Sequence, residues 1–200
     1  MAIIWLSAFL LFVALNWLSA ARSNTALEYI VKPAASAALL LFAASGDSPS
    51  PWLLVALTCC LVGDVYLMLP GDYFIAGLSA FLFGHVAYNL TFSAGLAERL
   101  VWFAVVAALC LPAIIPIVRA LKDRLLKAGV IVYMGVICLM AGSAIATGSL
   151  VAGVGALLFI ASDTLIAWDM FVKKIPRAHL WVMVSYHVAQ LFLVFALRAA

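Results

Sequence analysis

The sequence predicts an all-α fold: a polytopic transmembrane helical bundle of eight spans, one integral membrane domain over residues 1–200. Composition is the first reason. Hydrophobic residues make up 68% of the chain and charged residues 10%, against roughly 25% charged residues in soluble domains, so a water-exposed fold would lack the polar surface to cover its core. The second reason is periodic: apolar stretches close to the ~20 residues that cross a ~30 Å hydrocarbon core recur eight times. The third is that the breaks between them are short, so any chemistry must occur within the bundle or at its mouth.

The first stretch, Ile3–Ala20, ends in Leu-Ser-Ala-Ala but lacks the basic start of a signal peptide, which favours a retained span. Leu27–Ala44 follows, with Lys32-Pro33 near its start, a position that suits proline at the opening of a helix. Pro51–Leu69 comes after a Ser-Gly-Asp-Ser-Pro-Ser breaker and contains Gly63-Asp64. Across the turn residues Pro70, Gly71 and Asp72 lies Tyr73–Ala94, in which Gly77 and Gly84 permit close packing around His85. Leu100–Ile117 and Lys127–Ala144 form the next pair, and Leu150–Val172 and Leu180–Leu197 the last. Gly135, Gly142, Gly153 and Gly155 are assigned to helix packing, and Asp47 to a turn. Trp5, Trp17, Trp52, Trp102, Trp168 and Trp181 fall near span ends, as an interfacial belt requires.

Loop charges give an orientation. With eight spans, Arg22, Arg119, Lys122, Arg124, Lys127, Lys173, Lys174 and Arg177 share one side, and the other holds only Arg99 and Arg198. The positive-inside rule makes the basic side cytoplasmic and leaves both termini outside. A miscounted span would scramble this segregation. The small net charge of +3 therefore speaks to topology and anionic headgroups, not to nucleic acid. The cysteines Cys59, Cys60, Cys110 and Cys138 all lie in apolar runs without a Cys-x-x-Cys pair, and read as small packing residues.

Ionisable groups inside hydrocarbon are expensive, which makes them functional suspects. Asp64 lies ~8 Å from the basic face, Lys32 at a similar depth, Asp163 and His187 at ~10–14 Å, and His85 nearer the midplane. Five polar groups from five helices thus occupy one half of the membrane. Asp64 and Asp163 stand about half the chain apart, as do His85 and His187, so residues 1–99 and 100–200 suggest parallel four-helix repeats. Two carboxyls at matched positions can divide labour, a neutral acid donating a proton and a carboxylate positioning water. Tyr88 and Asn89 share a face with His85 at i+3 and i+4, and Gln190 follows His187 at i+3 beside Tyr186. Lys32 has two readings: it snorkels to the surface, or it neutralises an Asp or holds a phosphate. His179, among loop lysines and Arg177, is interfacial. No His-x-x-x-His pair is present, so neither metal nor cofactor is expected.

Lys32-Pro33, Gly63-Asp64, Phe83-Gly84-His85-Val86-Ala87-Tyr88, Tyr133, Ser162-Asp163 and Tyr186-His187, in that order, resemble the YhhN family of eight-span proteins, which includes lysoplasmalogenase. The resemblance implies hydrolysis of the vinyl ether bond of a lysoplasmalogen, releasing a fatty aldehyde and a glycerophospho-headgroup. For that chemistry the residues expected to be catalytic are Asp64, Asp163, His85 and His187. One Asp is expected as neutral acid and the other as the carboxylate that stabilises positive charge and orients water, in an order the sequence does not fix, with the His pair tuning or relaying protons. Lys32, Tyr88, Asn89, Tyr133, Tyr186 and Gln190 would bind the lysophospholipid. Two other classes fit intramembrane Asp, His and Lys: a proton-coupled transporter or lipid-binding membrane protein, and a zinc-dependent membrane amidase. Every one of these readings is an integral, multi-pass membrane protein, of the inner membrane if the cell is bacterial.

Overall fold

The computed structural model of the protein describes residues 1–71 and 73–198. Asp72, expected in a turn, lies outside the described residues. The elements are α1 Ala2–Ala21, α2 Thr25–Ala44, α3 Pro51–Met68, α4 Phe74–Thr91, α5 Leu96–Ala120, α6 Arg124–Ala146, α7 Leu150–Phe171 and α8 Ala178–Arg198, with no strand among the described residues. All eight are long and apolar enough to cross a membrane. The chain is an integral multi-pass membrane protein. In hydrocarbon only such a fold satisfies every backbone N–H and C=O within the segment that carries it.

The helix ends follow local chemistry. The Asn24 side chain accepts from the Leu27 N–H at 3.1 Å to open α2, and Asp123 does the same for the Leu126 N–H at 2.7 Å to open α6. Ser149 accepts from the Ala152 N–H at 3.3 Å at the start of α7. Helix α5 outruns its apolar stretch at both ends, with Glu98 in its first turn and Arg119 in its last, both complementary to the helix dipole. Gly71 takes a φ of +123°, a turn conformation open to glycine, just beyond α3.

One expectation is corrected. Pro33 does not open the second span: α2 begins at Thr25, and Pro33 lies inside it. The apolar pattern alone missed the polar first turn, which Asn24 caps. Pro33 has no N–H for the Tyr29 carbonyl, so it removes one rung of the helix. Packing of α2 against α1 on one side and α3 on the other carries the helix through.

The chain forms two compact units. Unit 1 comprises Met1–Thr91 with Val194–Ala200. Within it α1 packs on α2, α2 on α3 and α3 on α4, and the end of α8 joins through Phe42. The Phe195 ring meets Phe42 edge-on at 5.7 Å, and the Arg198 guanidinium lies 4.1 Å over the same ring. The α3–α4 contact is close because a Cβ on Gly63 would stand 2.6 Å from the Phe81 ring, and one on Gly84 3.1 Å from the Cys60 Sγ. Cys60 is buried there as a packing residue.

Unit 2 comprises Phe92–Leu193. Helices α5, α6 and α7 pack on one another, and the first part of α8 covers α7. Gly142 is the tightest point, where an added Cβ would lie 2.6 Å from the backbone nitrogen of Phe103. Gly155 serves the same purpose against Phe192 and Leu193 of α8. Gly135, expected at a packing surface, is not at one: nothing lies within 4 Å of a Cβ placed there. Small size marks a permitted contact and does not say that a neighbour has used it.

Candidate functional site

Each unit contains a carboxyl centre between two of its helices. In unit 1 the centre spans α2 and α3. Lys32 and Ser36 are one helical turn apart, so their side chains leave α2 on one face, stacked one above the other. Asp64 on α3 meets both. Its Oδ1 lies 3.3 Å from the Lys32 Nζ, and its Oδ2 accepts from the Ser36 hydroxyl at 2.7 Å. Lys32 is 4% exposed, Ser36 8% and Asp64 1%, so the snorkelling reading of Lys32 is set aside. A charge pair this deep offsets its desolvation only through close geometry and extra hydrogen bonds, and Ser36 supplies one.

Helix α4 adds His85 and Tyr88, both fully buried, and Gly84 beside His85 seats that part of α4 against Cys60 and the Ala56 carbonyl of α3. Asn89, the third polar residue of this face, is only half-buried. Next to the Lys32–Asp64 pair, an open apolar groove of about 560 Å³ runs between α2 and α3, lined by Pro33, Ala37, Leu61, Val62, Val65 and Tyr66. Pro33 directly follows Lys32, and Val65 directly follows Asp64, so groove and ion pair occupy adjacent faces of the same two helices. At the end of these helices the Tyr29 hydroxyl donates to the Met68 carbonyl at 2.7 Å, linking α2 to α3 below the groove.

In unit 2 the centre spans α6 and α7, where the Tyr133 hydroxyl donates to Asp163 Oδ2 at 2.5 Å. Tyr133 is buried and Asp163 half-buried. The adjacent Ser162, 1% exposed, donates to the Val182 carbonyl at 3.2 Å and ties α7 to α8. On α8 the Gln190 amide donates to the Tyr186 hydroxyl at 3.1 Å, the Tyr186 and His187 rings lie 5.4 Å apart at a tilt of 52°, and Phe159 of α7 meets Tyr186 edge-on at 5.4 Å. Tyr186, His187 and Gln190 are all buried, whereas His179 is exposed at the start of α8, as its loop setting predicts.

The structure thus joins Lys32 to Asp64 and Tyr133 to Asp163. Two polar residues of unit 1 escaped the reading of the sequence. Ser36 could have been found from its i+4 spacing to Lys32. Asn16, fully buried in α1, stood in plain view as an amide inside an apolar span. For a metal, no group of three or more His, Cys, Asp or Glu side chains comes together among the described residues.

The model of the YhhN family matches residues 27–197, which includes both centres. The chain belongs to the YhhN family. Among curated members, it is similar to human lysoplasmalogenase TMEM86B, with 33% identity over 138 residues, covering 69% of this chain and 59% of the human one. It is similar to mouse lysoplasmalogenase TMEM86B, with 30% identity over 196 residues, covering 95% of this chain and 84% of the relative. Human lysoplasmalogenase TMEM86A shares 31% identity over 153 residues, covering 70% of this chain and 62% of that one. The matches to the human, pig and rat TMEM86B proteins span less than two thirds of those relatives' lengths. No solved structure matches this YhhN chain.

Proposed function

We propose that this YhhN protein is a lysoplasmalogenase-like membrane hydrolase, cleaving the vinyl ether bond of a 1-alkenyl lysophospholipid with water. The reading is supported by the buried Lys32–Ser36–Asp64 cluster beside an apolar groove, in a chain similar to the human and mouse lysoplasmalogenases TMEM86B. A single-chain lipid is polar at one end and apolar along the rest. The groove between α2 and α3 takes the alkenyl chain from the bilayer, and the neighbouring polar cluster faces the glycerophospho end.

Vinyl ether hydrolysis begins with protonation of the alkene carbon farther from oxygen, which leaves an oxocarbenium ion. Water adds to the carbon bearing oxygen and loses a proton. The hemiacetal then collapses to the fatty aldehyde, with the proton passing to the departing glycerol oxygen. The sequence of events needs a proton donor and a carboxylate that stabilises positive charge and orients water, a division also used in glycoside hydrolysis. Both Asp64 oxygens already accept, one from an ammonium and one from a hydroxyl, which suits the carboxylate role. In unit 2 Asp163, whose Oδ2 accepts from the Tyr133 hydroxyl, is the candidate for the donor role. His85 relays protons in unit 1 and His187 in unit 2, while Tyr88 and Asn89 in the first unit, and Tyr186 and Gln190 in the second, are the proposed lipid-binding groups. Lys32 serves as the fixed counter-charge of Asp64.

The test is release of fatty aldehyde from 1-alkenyl-2-lyso-glycerophosphoethanolamine by pure protein in detergent. A hydrolase releases aldehyde and free glycerophosphoethanolamine in equal amounts. A transporter or lipid-binding protein releases neither, and would instead move or bind intact lysolipid in sealed vesicles.

A further inference from the structure

Asn16 is 0% exposed, and neither the Oδ1 nor the Nδ2 of its carboxamide has a hydrogen-bond partner among the described residues. Leaving such a polar group buried without a partner is destabilising, so an apolar residue of similar shape would be the more stable choice. Asn16 also lies ahead of residues 27–197, outside the segment that the family model matches.

Its place in unit 1 is informative. Phe9, Val13, Asn16 and Ser19 form the buried stripe of α1, and α2 is the helix against which α1 packs. Asn16 is five residues from the end of α1, ~7.5 Å along the axis, and Lys32 is seven residues into α2, ~10.5 Å, measured from the same connecting turn. Asp64 is four residues from the end of α3, ~6 Å. The three side chains therefore share one layer. Two buried stripes run side by side on α2: Lys32, Ser36, Leu39 and Ala43, and Val31, Ala35, Ala38 and Phe42. The first carries the contacts to Asp64, and α1 packs against the same helix.

We infer that Asn16 is a substrate-positioning residue whose carboxamide binds the free sn-2 hydroxyl of the lysolipid; this rests on the hydrolase reading above. An amide presents both a donor and an acceptor, and so does a hydroxyl, so one pairs with both lone ends of the other. The sn-2 hydroxyl is the group that separates a lysolipid from a diradyl lipid. A site whose buried polar group is completed by a substrate hydroxyl penalises the analogue without it, because the amide is then left unpaired.

The experiment compares Asn16→Leu with wild type on two substrates: a 1-alkenyl lysolipid and its 2-deoxy analogue, with hydrogen replacing the sn-2 hydroxyl. Wild type is expected to favour the hydroxylated substrate by about tenfold or more in kcat/KM, and Asn16→Leu to remove that preference while turning over the deoxy analogue at least as well as wild type does. Asn16→Leu should also unfold in detergent at a temperature equal to or above that of wild type, since it removes an unpartnered buried amide. An unchanged preference, or a lower unfolding temperature with the preference intact, overturns the inference and makes Asn16 structural. Asn16→Asp, which keeps the acceptor, gives a second reading and should retain part of the preference; loss as complete as with leucine counts against hydrogen bonding. If wild type releases no aldehyde from either substrate, the hydrolase reading itself fails, a result distinct from aldehyde release without discrimination.

Discussion

Lys32 Nζ stands 3.3 Å from Asp64 Oδ1, with side chains 5% and 1% exposed, so an ammonium and a carboxylate are joined across α2 and α3 at membrane depth. Such a pair adds little over a well-packed apolar pair, but half of it is worse than either, since one charge is left buried alone. Lys32→Met should therefore destabilise the protein by about 3–5 kcal/mol, while Lys32→Met with Asp64→Leu recovers most of that loss. Thermal unfolding in detergent measures both. A double variant as unstable as the single one would mean that the pair does not hold α2 against α3.

Ser36 donates to the other Asp64 oxygen and has no part in the charge balance, so it separates orientation from charge. Ser36→Ala should lower kcat on the order of tenfold, the rate equivalent of losing one hydrogen bond of ~1.4 kcal/mol, with KM little changed. Steady-state aldehyde release decides this. A raised KM at constant kcat would place Ser36 in binding and not in the orientation of Asp64.

The same reasoning applies to Tyr133, whose hydroxyl reaches Asp163 from α6. Tyr133→Phe keeps the ring in its buried place and removes only the donor. A fall in kcat of about ten- to a hundredfold is expected if that bond positions the proton donor. An unaltered rate would reduce Tyr133 to a packing residue.

The eight spans were legible because hydrocarbon imposes one requirement, a long apolar helix, on every segment that crosses it. Asp64, His85, Asp163 and His187 stood out for the converse reason, being costly where they lie. Pairing was less legible. Whether Lys32 reaches water or Asp64 depends on which face of α2 meets α3, and a single span has apolar residues on every side to obscure that face. Ser36 is small and tolerated in membranes, so only its bond to Asp64 reveals it. Pro33 misled because proline is usual at helix starts, whereas here Asn24 and Thr25 open the helix two turns earlier. Gly135 misled because glycine allows contact without requiring it.

Gly142→Ala places a methyl group against the Phe103 backbone and should cost about 1–3 kcal/mol, as overpacking does. Gly135→Ala meets nothing within 4 Å and should stabilise α6 by about 0.5–1 kcal/mol through helix propensity. Unfolding temperatures of the two variants should move in opposite directions. Equal shifts would contradict the packing of α5 against α6 at this point.

If the buried carboxylate of unit 1 serves vinyl ether hydrolysis, Asp64→Asn is the decisive variant, as it preserves shape and can still hydrogen-bond to Ser36. Purified wild type should release fatty aldehyde from a 1-alkenyl lysophospholipid. Asp64→Asn, shown to be folded by its unfolding transition, should retain at most about a hundredth of that rate, a loss of ~2.7 kcal/mol in transition-state stabilisation. Aldehyde release by folded Asp64→Asn at the wild-type rate would exclude a catalytic role for this carboxylate.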